Sequence, residues 1–311
     1  MLSIVLLSLL GIGATAALAI DLFDDDDDDN ARAPDTPGEE EPETGGPGPL
    51  PEEPETGGPD PLPTDAINPI TGTPGADSIV GTDVIDFIDA EGGDDVAHGG
   101  AEGDIVDGGD GDDRLFGEAG QDVIAGNGGN DFLRGGADAD VLVDSDGADT
   151  LRGDTGDDLI LSTGLTDQTA FIDATRTVAR DFENGDGPSL DDLPGLDLTQ
   201  DDDTEGDEVD GGTGSDIMIF GQDDTVTGGD GSDLFIGGSP LLAGNPATIM
   251  GFEVNEELLV LTYEGDDPPA LGLTYENGDA VLRLDGAPAV ILPGLGGSFL
   301  LSDVELVELA D

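Results

Sequence analysis

Gly108 to Phe116 reads GGDGDDRLF, Gly126 to Arg134 reads GNGGNDFLR and Gly153 to Leu161 reads GDTGDDLIL. They are copies of one nine-residue unit, and such units run without a gap from Gly72 to Leu161. The sixth position is Asp in every unit: Asp77, Asp86, Asp95, Asp104, Asp113, Asp122, Asp131, Asp140, Asp149 and Asp158. The eighth is apolar in every unit: Ile79, Ile88, Ala97, Val106, Leu115, Ile124, Leu133, Leu142, Leu151 and Ile160. An acidic chain does not keep two positions in phase over so many units by chance. The phase breaks after Leu161 and resumes with Asp207, Asp216, Asp224 and Asp233 at the sixth position. GGTGSDIMI (Gly211 to Ile219) and GGDGSDLFI (Gly228 to Ile236) are clean copies, and the unit holding Asp224 is one residue short.

A fixed short period is the mark of a solenoid. Three residues around position eight make a short strand, with position eight on one face and its neighbours on the other. The glycines allow the positive φ that a tight turn requires. Strand, turn, strand, turn makes one coil from two units. Units two apart then stack at about 4.8 Å, the spacing of neighbouring strands. That sorts the aspartates of the first block into two rails. One holds Asp77, Asp95, Asp113, Asp131 and Asp149; the other holds Asp86, Asp104, Asp122, Asp140 and Asp158.

Carboxylates stacked at roughly 5 Å repel by about 1 to 3 kcal/mol per pair, for effective dielectrics between water and a protein surface. A divalent cation between turns reverses the sign. Calcium suits best, because it accepts six to eight oxygens in loose geometry and turn carbonyls supplement the carboxylates. Magnesium demands tighter octahedral geometry and gives up water reluctantly. All fourteen sixth-position aspartates are therefore candidate metal ligands.

The unit G-G-x-G-x-D-x-U-x resembles the RTX, or hemolysin-type, calcium-binding nonapeptide repeat. The resemblance covers Gly72 to Gly238, with an interruption. It implies an all-β parallel β-roll holding several calcium ions. It also implies a chain that stays unfolded in low-calcium cytosol, passes export machinery of the type I secretion kind, and folds outside. The aliphatic tail that ends at Asp311 looks like the uncleaved export signal of such proteins.

Composition agrees and excludes alternatives. The chain has 311 residues, 74 Asp plus Glu against 7 basic residues, all of them Arg, and a net charge of −67. Such charge opposes compaction unless cations neutralise it, and it leaves no basic footprint for nucleic acid. There is no Cys, which removes disulfides, thiolate metal sites and cysteine nucleophiles. His98 is the one histidine, too few for an H-E-x-x-H zinc site.

Outside the repeats the sequence divides into further segments. Residues 1–20 are uncharged and mostly apolar. They read either as a cleaved signal peptide, with Ala17-Leu18-Ala19 as the cleavage site, or as an apolar helix anchoring the chain to a membrane. Their length and the lack of a preceding Lys or Arg favour the anchor. Residues 21–71 form an expected disordered linker. It has an acidic run at Asp24 to Asp29, and a direct repeat in which EEPETGGPGPLP (Glu40 to Pro51) is followed by EEPETGGPDPLP (Glu52 to Pro63). Residues 72–161 are the first repeat block. Residues 162–206 are an insertion, where Phe171, Ala174, Val178 and Phe182 fall at helical spacing. Residues 207–238 are the second block. Residues 239–311 form a β-rich cap, with strands expected at Leu258 to Tyr263, Leu271 to Tyr275, Ala280 to Leu284 and Ala289 to Leu292. Asn277-Gly278 signals a hairpin turn.

The sequence thus points to a non-catalytic calcium-binding protein, exported or at the cell surface, with no small-molecule substrate. The competing reading is an accessory or remnant module of a secreted hydrolase or toxin. It finds no G-x-S-x-G elbow, and His98 lies at a ninth position within a repeat. Position four adds an expectation about the rails. It is Gly in all five units of the first rail, but Val84, Glu102 and Asp138 interrupt the second. Side chains resist positive φ, so the first rail is expected to carry the tighter sites.

Overall fold

A computed structural model describes residues 67–163, 205–237, 245–264 and 267–309. The expected apolar helix of residues 1–20, most of the linker and the helix expected around Phe171 to Phe182 lie outside the described residues.

The chain winds into strands that alternate between two sheets. The first block holds β1 (Asn68–Thr73), β2 (Ser78–Val80), β3 (Asp86–Glu91), β4 (Val96–Ala101), β5 (Ile105–Asp110), β6 (Arg114–Ala119), β7 (Val123–Gly128), β8 (Phe132–Ala137), β9 (Val141–Val143), β10 (Thr150–Thr155) and β11 (Leu159–Leu161). The second holds β12 (Glu208–Gly214), β13 (Ile217–Phe220), β14 (Thr225–Gly231) and β15 (Leu234–Gly237). The cap adds β16 (Ala247–Met250), β17 (Leu258–Glu264), β18 (Leu271–Glu276), β19 (Asp279–Leu284), β20 (Ala287–Leu292) and β21 (Val304–Leu309). One sheet runs β1-β3-β5-β7-β9-β11-β13-β15-β17-β21, the other β18-β19-β20-β16-β14-β12-β10-β8-β6-β4-β2. Every pairing is parallel except β18 with β19 and β19 with β20. This is the expected all-β parallel roll with a β-rich C-terminal cap.

The stacking repeats the two-unit period. Leu115 pairs with Leu133 and Leu133 with Leu151 in one sheet. Ile88, Val106, Ile124, Leu142 and Ile160 align in the other. Position eight is therefore the core: two facing files of side chains, buried throughout. Leu151 pairs next with Val209 and Ile160 with Met218. The insertion thus leaves the stack between coils without changing the register. The short unit then closes its turn with Asp223 at φ 65°.

The roll starts earlier than the linker boundary suggests. β1 begins at Asn68, and Ile70 pairs with Ile88 as a position-eight residue of a unit that has Asn68 in place of the aspartate. In the cap, Asn277 (φ 57°) and Gly278 (φ 103°) make the tight turn joining β18 to β19. The terminal β21 pairs with β17 and ends the first sheet. β16 and β21 were not among the expected strands.

Candidate calcium sites along two carboxylate rails

All fourteen sixth-position aspartates fall on two rails. The first continues from Asp149 to Asp207 and Asp224, the second from Asp158 to Asp216 and Asp233. From Asp95 onward, each aspartate places its side chain on the backbone of the coil before it. The amide of Asp95 donates to Asp113 Oδ1 at 2.7 Å, that of Asp113 to Asp131 Oδ1 at 2.7 Å, and that of Asp131 to Asp149 Oδ1 at 2.7 Å. On the second rail the amides of Asp86, Asp104, Asp122 and Asp140 reach the next Oδ1 at 2.7 to 2.8 Å. These amide-to-carboxylate bonds fix the carboxyls from Asp95 onward in one orientation.

At ten of the fourteen the other oxygen has no such partner. Oδ2 of Asp95, Asp104, Asp113, Asp122, Asp131, Asp140, Asp149, Asp158, Asp216 and Asp233 is buried without a hydrogen bond. A buried carboxylate oxygen without a partner is strongly unfavourable. Where position one is glycine, it keeps the space over that oxygen clear. A Cβ on Gly108 would lie 2.5 Å from Asp113 Oδ2, and one on Gly99 2.6 Å from Asp104 Oδ2. Oriented, hard, anionic oxygens beside backbone carbonyls in a cradle that no side chain fills suit calcium.

The family model of the RTX calcium-binding nonapeptide repeat, four copies long, matches residues 71–106, 98–133, 107–142, 134–167 and 221–239. These are RTX calcium-binding repeats. No curated protein matches the chain. Among solved structures, it is similar to the crystal structure of the extracellular lipase LipA from Serratia marcescens, at 14% sequence identity and a TM-score of 0.24. That match covers 77% of this chain and 40% of the lipase chain, so the chain spans well under half of the lipase's length.

The rails have ends, and three of the four differ from the middle. Asp77 Oδ2 accepts from the Thr73 amide at 2.6 Å and from Thr73 Oγ1 at 2.8 Å. Asp86 Oδ2 accepts likewise from Thr82, at 2.5 and 3.0 Å, and Asn68 Nδ2 donates to Asp86 Oδ1 at 2.5 Å. Asp224 Oδ2 takes the Gly221 amide at 2.7 Å and Ser162 Oγ at 2.8 Å. In these three aspartates of the expected ligand set, protein donors occupy the oxygen that is bare in the ten named above. The sequence reading missed Asn68, Thr73 and Thr82. Their signal is the threonine at position two of the first two units, where later units carry Gly, Glu, Asn, Ser or Asp.

Burial pushes the carboxyls up. Without a cation, Asp113 and Asp149 rise to about 6 and Asp131 to about 7 on the first rail. On the second, Asp104, Asp158 and Asp216 rise to about 7, Asp122 to about 8 and Asp140 to about 10. Desolvation is the largest cause in each, opposed by the amide bond to Oδ1 and added to by neighbouring carboxylates.

Position four takes positive φ on both rails, at Gly111 (143°), Gly129 (135°) and Gly147 (145°), but also at Glu102 (68°) and Asp138 (76°). Position two takes it as well, at Glu91, Gly109, Glu118 and Asn127. Beyond the insertion the glycines change sides. Gly214 and Gly231 serve the second rail, while Asp207 and Asp224, with Glu205 and Gln222 at position four, continue the first.

Proposed function

We propose that this chain is a non-catalytic RTX protein, exported or displayed at the cell surface, whose roll folds on binding extracellular calcium. The observation that carries the reading is the stack of oriented, buried, unpartnered Oδ2 atoms along both rails. Anionic oxygens in that state oppose folding, and a shared divalent cation turns the same array into the stabilising feature. The proposed ligands are the sixth-position aspartates from Asp95 to Asp233, with Asp77, Asp86 and Asp224 as hydrogen-bonded rail ends. Pairs such as Asp112–Asp113 are read as parts of this array rather than as acid–base dyads.

Export follows from the same dependence. A chain that needs calcium to compact stays threadable where calcium is scarce, which suits passage through export machinery before folding. Residues 1–20 are read as the segment that retains the protein at a membrane, with the roll outside. Intact-mass measurement of the mature protein checks this, and a soluble product starting at Ile20 contradicts it. The main test is circular dichroism of the full chain. A coil spectrum in chelator and a strand spectrum at about millimolar calcium are expected, a range typical of extracellular calcium modules. A fully folded chain in chelator at neutral pH overturns the reading.

A further inference from the structure

One unit breaks the repeat at the position that elsewhere stays clear. Position one is Gly in most units, but it is Asp144 in the unit ending at Arg152. Asp144 is 1% exposed, and its Oδ2 is buried without a hydrogen bond. Its Oδ1 accepts from the Ser145 amide at 2.8 Å, and its own amide donates to Leu161 O at 3.0 Å. Backbone on both sides therefore fixes where this carboxyl sits.

It sits against the first rail. Asp131, Asp144 and Asp149 are all buried, and one carboxylate oxygen from each lies within 4.8 Å of the other two. Oδ2 of Asp131 and Asp149 is also without a hydrogen bond. Gly126, stacked beneath Asp144, leaves the room. A Cβ there would meet Oδ2 of both Asp131 and Asp144, the former at 2.5 Å. Elsewhere along the rails two sixth-position carboxylates face one gap between coils. Here a third converges on it from a different position of the repeat.

We propose that Asp131, Asp144 and Asp149 form a three-carboxylate cation site, the tightest on the molecule, which fills first as calcium rises. This rests on the calcium reading above and deepens it. Three buried carboxylates without a cation repel one another with no solvent to screen them. With one, the added charge raises affinity, since calcium affinity follows the number of anionic ligands and the rigidity of the site. The site lies one coil before the insertion, so the coil bordering that break is the first to be locked.

The test is calcium titration of the full chain by calorimetry, comparing wild type with Asp144→Asn and Asp144→Gly. Asp144→Asn keeps the shape and removes the charge, and Asp144→Gly restores the common residue of the repeat. Wild type is expected to show a tight class of one ion ahead of the remaining sites. Both variants are expected to lose it, with affinity of that step down about tenfold or more. Directly excited europium gives a second readout. Its emission lifetimes in water and heavy water are expected to show one class with fewer bound waters in wild type and none in Asp144→Asn. Variants that titrate like wild type, or more tightly, overturn the three-carboxylate site while leaving the calcium reading intact. A wild-type chain that takes up no calcium overturns both.

Discussion

The roll and the cap share two sheets, yet they solve the problem of burial differently. In the roll, the central core is built mainly from the position-eight files, such as Leu115, Leu133 and Leu151, with a buried aspartate two residues before each. In the cap, Phe252, Leu282, Leu284, Val290, Leu292 and Phe299 pack together. Phe252 stands edge-on to Phe299 at 5.7 Å and tilted against Phe235 at 5.7 Å. Among the described residues from 245 onward, the buried polar side chain is Thr262, whose hydroxyl donates to Gly237 O at 3.0 Å. The cap holds itself by apolar contact. The roll has a thin apolar core and a buried charge array that, under the proposed function, works against it until calcium is bound. That proposal makes stability conditional on calcium in the roll and largely independent of it in the cap.

The largest separation between the two regions is expected from pH in the presence of chelator. Asp104, Asp113, Asp122, Asp131, Asp140, Asp149, Asp158 and Asp216, raised in the folded chain to about 6 to 10, bind protons more tightly folded than unfolded. Their contribution is therefore fully present below the ordinary carboxyl value near 3.8 and is lost as pH rises through the folded values. Without calcium, the roll is expected to form at about pH 4 and to melt out between about pH 6 and 10, while the cap changes little. Far-UV circular dichroism against pH checks this. Melting on acidification instead would break the comparison.

Core truncations sharpen it next. Leu133→Ala and Leu282→Ala each remove a fully buried side chain, and each is expected to cost about 2 to 5 kcal/mol. The roll variant should show this mainly as a higher calcium midpoint for folding. The cap variant should show it as a lower melting temperature at any calcium level. Equal calcium dependence of the two losses would remove the distinction.

Glycine replacement gives a smaller effect. Gly108→Ala puts a methyl over Asp113 Oδ2, whereas a Cβ on Gly272 in the cap meets Arg283 Cβ at 3.7 Å, an ordinary contact. Calcium titration of Gly108→Ala is expected to show one site weakened about tenfold or more, since the methyl competes with the ion for its ligand. Gly272→Ala should be near neutral.

The smallest effect concerns the rails themselves. Asp113→Ala with Asp131→Ala is expected to lower calcium affinity more than Asp104→Ala with Asp140→Ala, because Gly111 and Gly129 take positive φ without the strain that Glu102 and Asp138 carry. Equal losses, or a larger loss from the second pair, would count against that ranking. Because the glycines change sides beyond the insertion, the ranking applies to the first block alone.

The sequence makes the roll legible because two positions of nine carry the fold. Asp at six and an apolar residue at eight specify period, face and stacking together, and the register across the insertion keeps both. Other features stay hidden for physical reasons. β1 was read as linker because Asn68 replaces the aspartate that marks a unit. β21 is hidden because VELVEL (Val304 to Leu309) does not alternate apolar with polar residues as a half-buried strand does. The positive φ at position two is invisible where Glu91 and Glu118 stand in for glycine. The rail ends are visible only once Thr73 and Thr82 are seen to donate to Asp77 and Asp86. Asp144 is one more aspartate in an acidic chain until the stack brings it against Asp131 and Asp149.

The most direct measurement is hydrogen–deuterium exchange along the full chain, with and without calcium, at neutral pH. In chelator, amides of residues 79–161 and 208–236 are expected to lose protection by orders of magnitude and to regain it with calcium. The β18–β20 hairpins should change much less. Protection of the rail amides at Asp95, Asp113 and Asp131 that is equally high in chelator would contradict calcium-driven folding of the roll.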